Sequence, residues 1–250
     1  MKPLIPRNPF FRFFTFLFYE IIALPLLLAN AKIVFGLSLK GRRNLRALKG
    51  KGAVLVCNHV HTLDCTFVAL LSAPRKVIFT ATAPIFERRV IGPLVHILGA
   101  IPVPTPDSPS ILFRRFIRET ARAVRSGRIL CIYPEGELIP YCSDLREFRN
   151  GAFLIASMVS APVVPIMLTY RERKGLWRLL KRRPCLTVTA GEPLWPIFEG
   201  ALRDSAENLC IRTKSVMEKM QSPGKTGFLD DNSLRDSENE WETEEQKTDR

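Results

Sequence analysis

Residues 53–64, Ala-Val-Leu-Val-Cys-Asn-His-Val-His-Thr-Leu-Asp, decide how this chain is read. Ala53–Cys57 is a short, wholly apolar run, the pattern of a strand buried on both faces. It leads straight into Asn58, His59, Val60 and His61, and the helical pattern of residues 63–71 follows at once. This order predicts a histidine at the carboxyl end of a strand, with an aspartate in the next turn or first helical turn. Asp64 can then fold back to accept a hydrogen bond from one ring nitrogen of His59. That contact would set the tautomer, leave the other nitrogen as a base, and stabilise the imidazolium once formed. On spacing alone His61 pairs with Asp64 equally well, and a capped turn using Thr62 or Asp64 is the plain structural alternative. A His-x-His after a strand also suits a metal ion, but His96 is the only other histidine and no carboxylate cluster accompanies it.

Outward from this segment, short β-branched runs alternate with longer helical patterns. Strands are expected at 77–81, 129–133, 163–168 and 186–190, with Pro165 marking a strand end or edge. Helices are expected at 63–71, 86–98, 110–126, 148–159 and 201–220. The one opening at Ser110 carries an apolar stripe of Phe113, Phe116, Ile117 and Val124 among arginines, and Gly127 ends it. The alternation predicts an α/β fold, a largely parallel central sheet flanked by helices. Chemistry in such sheets gathers where strands end and helices begin.

Composition sets the outer limits. A chain of 250 residues with 46% hydrophobic content supports one substantial core and excludes a wholly disordered protein. Six cysteines are too few for a disulfide scaffold, and the glycines and prolines have no collagen-like period. The formal charge of +13 predicts attraction to a polyanion. It is unevenly distributed: residues 222–250 carry a net −5, so residues 1–221 carry +18. With only Phe228, Leu229, Leu234 and Trp241 to bury, residues 222–250 are expected to form an acidic disordered tail. Three parts follow: apolar N-terminal membrane-associating helices (1–40), an α/β domain (41–221), and the tail (222–250).

The N-terminal part is the most apolar. Between Phe13 and Phe35 the only charges are Glu20 and Lys32, a length able to span a bilayer. Glu20 near the middle and Pro25 just after it argue for two short helices dipping into one leaflet. Aromatics crowd the start of the run, and Arg7 and Arg12 stand beside them where anionic headgroups would lie. Ala29-Asn30-Ala31 imitates a signal-peptide cleavage site, but the interrupted, over-long apolar run is read as retained. A second membrane-facing candidate spans residues 171–183, where Trp177 lies among basic residues including Arg178, Lys181, Arg182 and Arg183. A solvated surface is its alternative. No zinc-finger spacing or RNA-binding aromatic signature supports a nucleic-acid partner.

Three further blocks add specificity. Tyr133-Pro134-Glu135-Gly136-Glu137 follows the strand at 129–133, Phe148-Arg149-Asn150-Gly151 opens a helix, and Ala161-Pro162-Val163-Val164-Pro165 comes next. In this order, Asn58-His59 with Asp64, Pro134-Glu135-Gly136, Phe148-Arg149-x-Gly151 and Pro162-Val163-Val164-Pro165 closely resemble the glycerolipid acyltransferases of the 1-acylglycerol-3-phosphate acyltransferase family. The resemblance covers residues 50–195, and the apolar N-terminus resembles that family's membrane-docking helices.

The resemblance implies His59, rather than His61, as general base toward an acceptor hydroxyl, with Asp64 orienting it. It implies direct attack on the thioester of acyl-CoA or acyl-carrier protein, acting as co-substrate, with no bound cofactor or metal. Pro134, Glu135 and Gly136 would help hold a lysophospholipid acceptor, and turn amides of this kind suit a phosphate or oxyanion. The implied setting is a membrane containing anionic lipids, at the cytoplasmic face of the cell membrane. Arginines that the family usually carries are absent after Gly99 and after Gly136. Either Arg149 or Arg146 is therefore expected to meet an acceptor phosphate, or the acceptor carries a different headgroup; a non-catalytic membrane-binding module is the alternative from another class. Cys57 and Cys65 flank the pair and are read as buried packing residues.

Overall fold

The computed structural model describes residues 21, 24–82, 85, 86, 89, 100–105, 107–142, 144–172 and 184–221. Arg7, Arg12 and Glu20, most of the helix expected over 86–98, the basic stretch from Trp177 to Arg183, and the acidic tail lie outside them.

Among the described residues the elements follow in order: α1 (Leu24–Phe35), β1 (Ser38–Lys40), α2 (Arg42–Arg46), β2 (Ala53–Cys57), α3 (Asp64–Ser72), β3 (Val77–Thr82), β4 (Ile101–Val103), α4 (Ser110–Arg125), β5 (Ile129–Ile132), α5 (Gly151–Met158), β6 (Val163–Arg171), β7 (Cys185–Ala190) and α6 (Leu202–Met220). The strands form one sheet in the order β1-β7-β6-β2-β5-β3-β4. All neighbours are parallel except β6 and β7.

β2 lies at the centre, and all five of its residues are buried. Alternation splits its side chains between two cores. Leu55 and Cys57 face α1, α2 and α3 through Ala31, Leu45, Phe67 and Leu71. Val54 and Val56 face α4, α5 and α6 through Phe116, Phe153 and Leu209. Burial on both faces explains why the strand reads as an unbroken apolar run.

Several expectations are corrected. Pro165 lies in an interior strand, between β2 and β7. It is tolerated because it stands at the end of the β6–β7 ladder, where its carbonyl accepts from the Gly191 amide at 2.8 Å and no donor is required of it. The helix expected from Phe148 begins at Gly151. Of the apolar stripe of α4, Phe116 and Val124 are buried, while Phe113 is 45% exposed. Cys65 is exposed rather than buried. β1, α2 and β4 were not anticipated, being only three to five residues long. Pro25 is the second described residue of α1, and residues 22 and 23 before it lie outside the described residues. Among the described residues no helix is long and apolar enough to cross a membrane.

Candidate active site

β2 and β5 run in register, Val56 opposite Ile132, so Asn58-His59 and Tyr133-Pro134-Glu135 leave the sheet side by side. Asn58 extends the sheet by one step through its side chain. Its Nδ2 donates to the Leu168 carbonyl at 3.0 Å, and its Oδ1 accepts from the Leu168 amide at 2.8 Å. This anchors the chain just before His59.

The loop then closes on Asp64. A single oxygen, Oδ2, accepts from His59 Nδ1 at 2.9 Å, the Val60 amide at 2.9 Å and the His61 amide at 3.1 Å. Asp64 is the first residue of α3 and wholly buried. Burial raises its carboxyl from the ordinary carboxylate range, against the downward pull of the His59 contact and the two amides. The His59 side chain is 25% exposed. With Nδ1 engaged, Nε2 is the ring nitrogen left to meet a ligand.

His61 has a different place. It is buried, its Nδ1 accepts from the Leu63 amide at 3.0 Å, and its ring sits edge-on to Phe35 of α1, 5.1 Å between centroids. It holds the turn, and its link to Asp64 runs through its backbone. Among the described residues no three His, Cys, Asp or Glu side chains gather closely enough to hold a metal ion.

Tyr133, which in the sequence only opens the block around Pro134–Gly136, packs directly on the histidine. Its ring stacks on His59, with centroids 4.2 Å apart and planes 21° from parallel. An aromatic closing a strand is an ordinary pattern, and only the β2–β5 register reveals the partner.

Tyr133, Pro134, Glu135 and Gly136 form a β-turn closed by the Gly136 amide on the Tyr133 carbonyl at 3.2 Å. Glu135 points inward: its Oε2 accepts from Arg146 Nη2 at 2.6 Å and Nε at 3.1 Å, and from the His59 amide at 3.4 Å. Arg146 also donates to the Glu137 carbonyl. Arg146 is thus committed to holding the turn against the His59 loop. Arg149 is exposed and makes no ion pair with any described residue, although its amide donates to the Pro134 carbonyl at 2.9 Å. Its guanidinium covers Gly136, where an added Cβ would stand 2.8 Å from Cζ and where φ is +79°. Only glycine suits that position. Of the two arginines considered for an anionic ligand, the fold leaves Arg149 available.

Cys57 and Cys131 are buried, and burial pushes both thiols well up.

A hydrogen-bonded His–Asp pair thus stands at the carboxyl rim of a mostly parallel sheet, beside the turn that follows β5. The acyltransferase family model matches residues 37–169, and the chain belongs to that family. The 1-acyl-sn-glycerol-3-phosphate acyltransferase of Bacillus subtilis (strain 168) is 25% identical over 190 residues, covering 74% of this chain and 87% of the relative. A chloroplastic enzyme of the same name from Brassica napus is 32% identical over 115 residues, covering 46% of this chain and 32% of the relative. The crystal structure of the 1-acyl-sn-glycerophosphate acyltransferase of Thermotoga maritima shares the fold, with a TM-score of 0.54 over 87% of this chain and 89% of the other, at 18% identity.

Proposed function

We propose that this protein moves a fatty acyl group from an acyl thioester, acyl-CoA or acyl-carrier protein, to the free hydroxyl of 1-acyl-sn-glycerol-3-phosphate at a membrane surface. The observation that carries this reading is the His59 ring, tied to Asp64 at 2.9 Å through Nδ1 and with a quarter of its side chain exposed at the rim.

The chemistry follows from that geometry. Nε2 takes the proton from the acceptor hydroxyl as its oxygen attacks the thioester carbonyl. The C–O bond forms, a tetrahedral oxyanion develops, and the C–S bond breaks. The departing thiolate takes the proton back from the imidazolium, which Asp64 has stabilised meanwhile. No acyl-enzyme is required. Arg149 meets the acceptor phosphate as a charge-assisted donor, while Arg146 and Glu135 keep the Pro134–Gly136 turn in place. The lipid product and acceptor imply docking on anionic lipids of the cell membrane at its cytoplasmic face. Arg7, Arg12 and the Trp177–Arg183 stretch are the proposed contacts.

The test is transfer of labelled acyl groups from both donor types by purified wild-type protein and His59→Ala across a panel of lysolipids. Loss of a general base is worth at least ~10²-fold. Equal transfer by both proteins would refute the mechanism. Turnover of lysolipids lacking a phosphomonoester, with none of 1-acyl-sn-glycerol-3-phosphate, would refute the acceptor.

A further inference from the structure

We propose that the first turn of α4 is a bilayer-contacting surface that seats the catalytic pole on an anionic membrane, in addition to the N-terminal segment. The inference rests on the acceptor being a membrane lipid, as argued above.

The observation is a patch that the hydrophobic effect does not explain by itself. Ile111 is 61% exposed, Leu112 37% and Phe113 45%, three large apolar side chains in succession on a helix whose inner face is already filled by Phe116 and Val124. Arg114 and Arg118 are exposed beside them. α4 carries five arginines against the single acid Glu119, with no acidic residue in its first turn. Apolar side chains flanked by long basic ones, at the positive end of a helix dipole, fit the boundary between acyl chains and phosphate headgroups.

Topology places this patch where a lipid must enter. β4 is parallel to β3, β3 to β5 and β5 to β2, so α4 starts at the pole where His59 leaves β2. On the opposite face of the sheet, α1 ends at the same pole through the Phe35–His61 contact and exposes Ile33 (67%) and Val34 (49%). Between them Ile139, 40% exposed, donates its amide to the His59 carbonyl. Exposed apolar groups thus stand at the pole of the imidazole on both faces of the sheet.

The molecule supplies its own control. Ile197 and Phe198 are also exposed, but they follow Leu194, which pairs with Val163 at the beginning of β6, at the far pole. No lipid need reach them.

Full-length wild type, I111S/L112S/F113S and I197S/F198S are compared for flotation with phosphatidylcholine vesicles with and without phosphatidylglycerol. The α4 variant should lose at least about fivefold in affinity for the mixed vesicles, from the apolar area no longer removed from water. The far-pole variant should match wild type, and wild type should bind less when phosphatidylglycerol is omitted. Unchanged binding by the α4 variant, or an equal loss in the far-pole variant, overturns the proposal. Phe113→Trp gives a reading that does not depend on how the triple variant folds. Its added fluorescence should be quenched by brominated acyl chains, and absence of quenching again overturns the proposal. A short-chain acceptor dissolved as monomer should be turned over equally by all three proteins. If wild type turns over no acceptor, the acyltransferase reading fails while the vesicle readings still decide this one.

Discussion

The imidazole of His59 lies almost flat on the ring of Tyr133, centroids 4.2 Å apart, with Asp64 holding one nitrogen from the other side of the loop. The proposed base is held in two ways: the carboxylate sets its tautomer and in-plane direction, and the aromatic face sets its tilt. Tyr133→Phe keeps the stack and should leave turnover within a few-fold. Tyr133→Ala should lower kcat by roughly tenfold, in line with about 0.5–1.5 kcal/mol for an aromatic pair. Loss of kcat at unchanged KM for the acceptor, with activity restored in Tyr133→Phe, identifies positioning.

Asp64 carries structural weight beside its proposed role toward His59, because Oδ2 also satisfies the amides of Val60 and His61. Asp64→Ala should cost roughly 2–4 kcal/mol of stability in denaturant unfolding, from buried donors left without a partner. Asp64→Asn retains an oxygen for those amides and should be the milder change for folding. Both should lose most activity. Equal stability of the two variants would show that the amides are satisfied another way.

Arg146 and Arg149 should separate cleanly. Arg146→Met leaves the Glu135 carboxylate, with only 1% of its side chain exposed, without its cation. A loss of about 3 kcal/mol in stability is expected. Arg149→Met should leave the unfolding midpoint nearly unchanged and raise KM for a phosphate-bearing acceptor about tenfold or more, the scale of a lost charge-assisted contact. The reverse pattern in steady-state kinetics and unfolding would exchange the two roles.

The thiols near the base are not nucleophiles in this reading. Burial raises Cys57 and Cys131, so at about pH 8 each is a neutral, inaccessible thiol, and raising the pH by one unit should not expose it. Iodoacetamide should leave both unlabelled in the folded protein, as read by peptide mass mapping. Cys57→Ser and Cys65→Ser should each retain turnover within about twofold, since neither takes part in proton transfer.

The sheet was legible because β2, β5 and β6 are buried on both faces and therefore written as unbroken apolar runs. That Asp64 would return to a histidine of the preceding loop was legible because a strand, a tight loop and a helix start lie within twelve residues, while the choice of His59 over His61 rested on the family resemblance. Short elements such as β1 and β4 carried too few residues to show a period.

What sequence alone determined was local: which runs bury themselves, and which carboxylate can fold back on a histidine of the loop before it. Tertiary structure decided everything that depends on register between distant segments. Adjacent strands bring Tyr133 beneath His59, and the turn after β5 draws Arg146 onto Glu135 while leaving Arg149 free. The same packing turns His61 into a buried support and sets Phe113 outside the core. Side-chain roles of this kind arise from which groups compete for the same buried oxygen or apolar surface, and that competition exists only after the strands have paired.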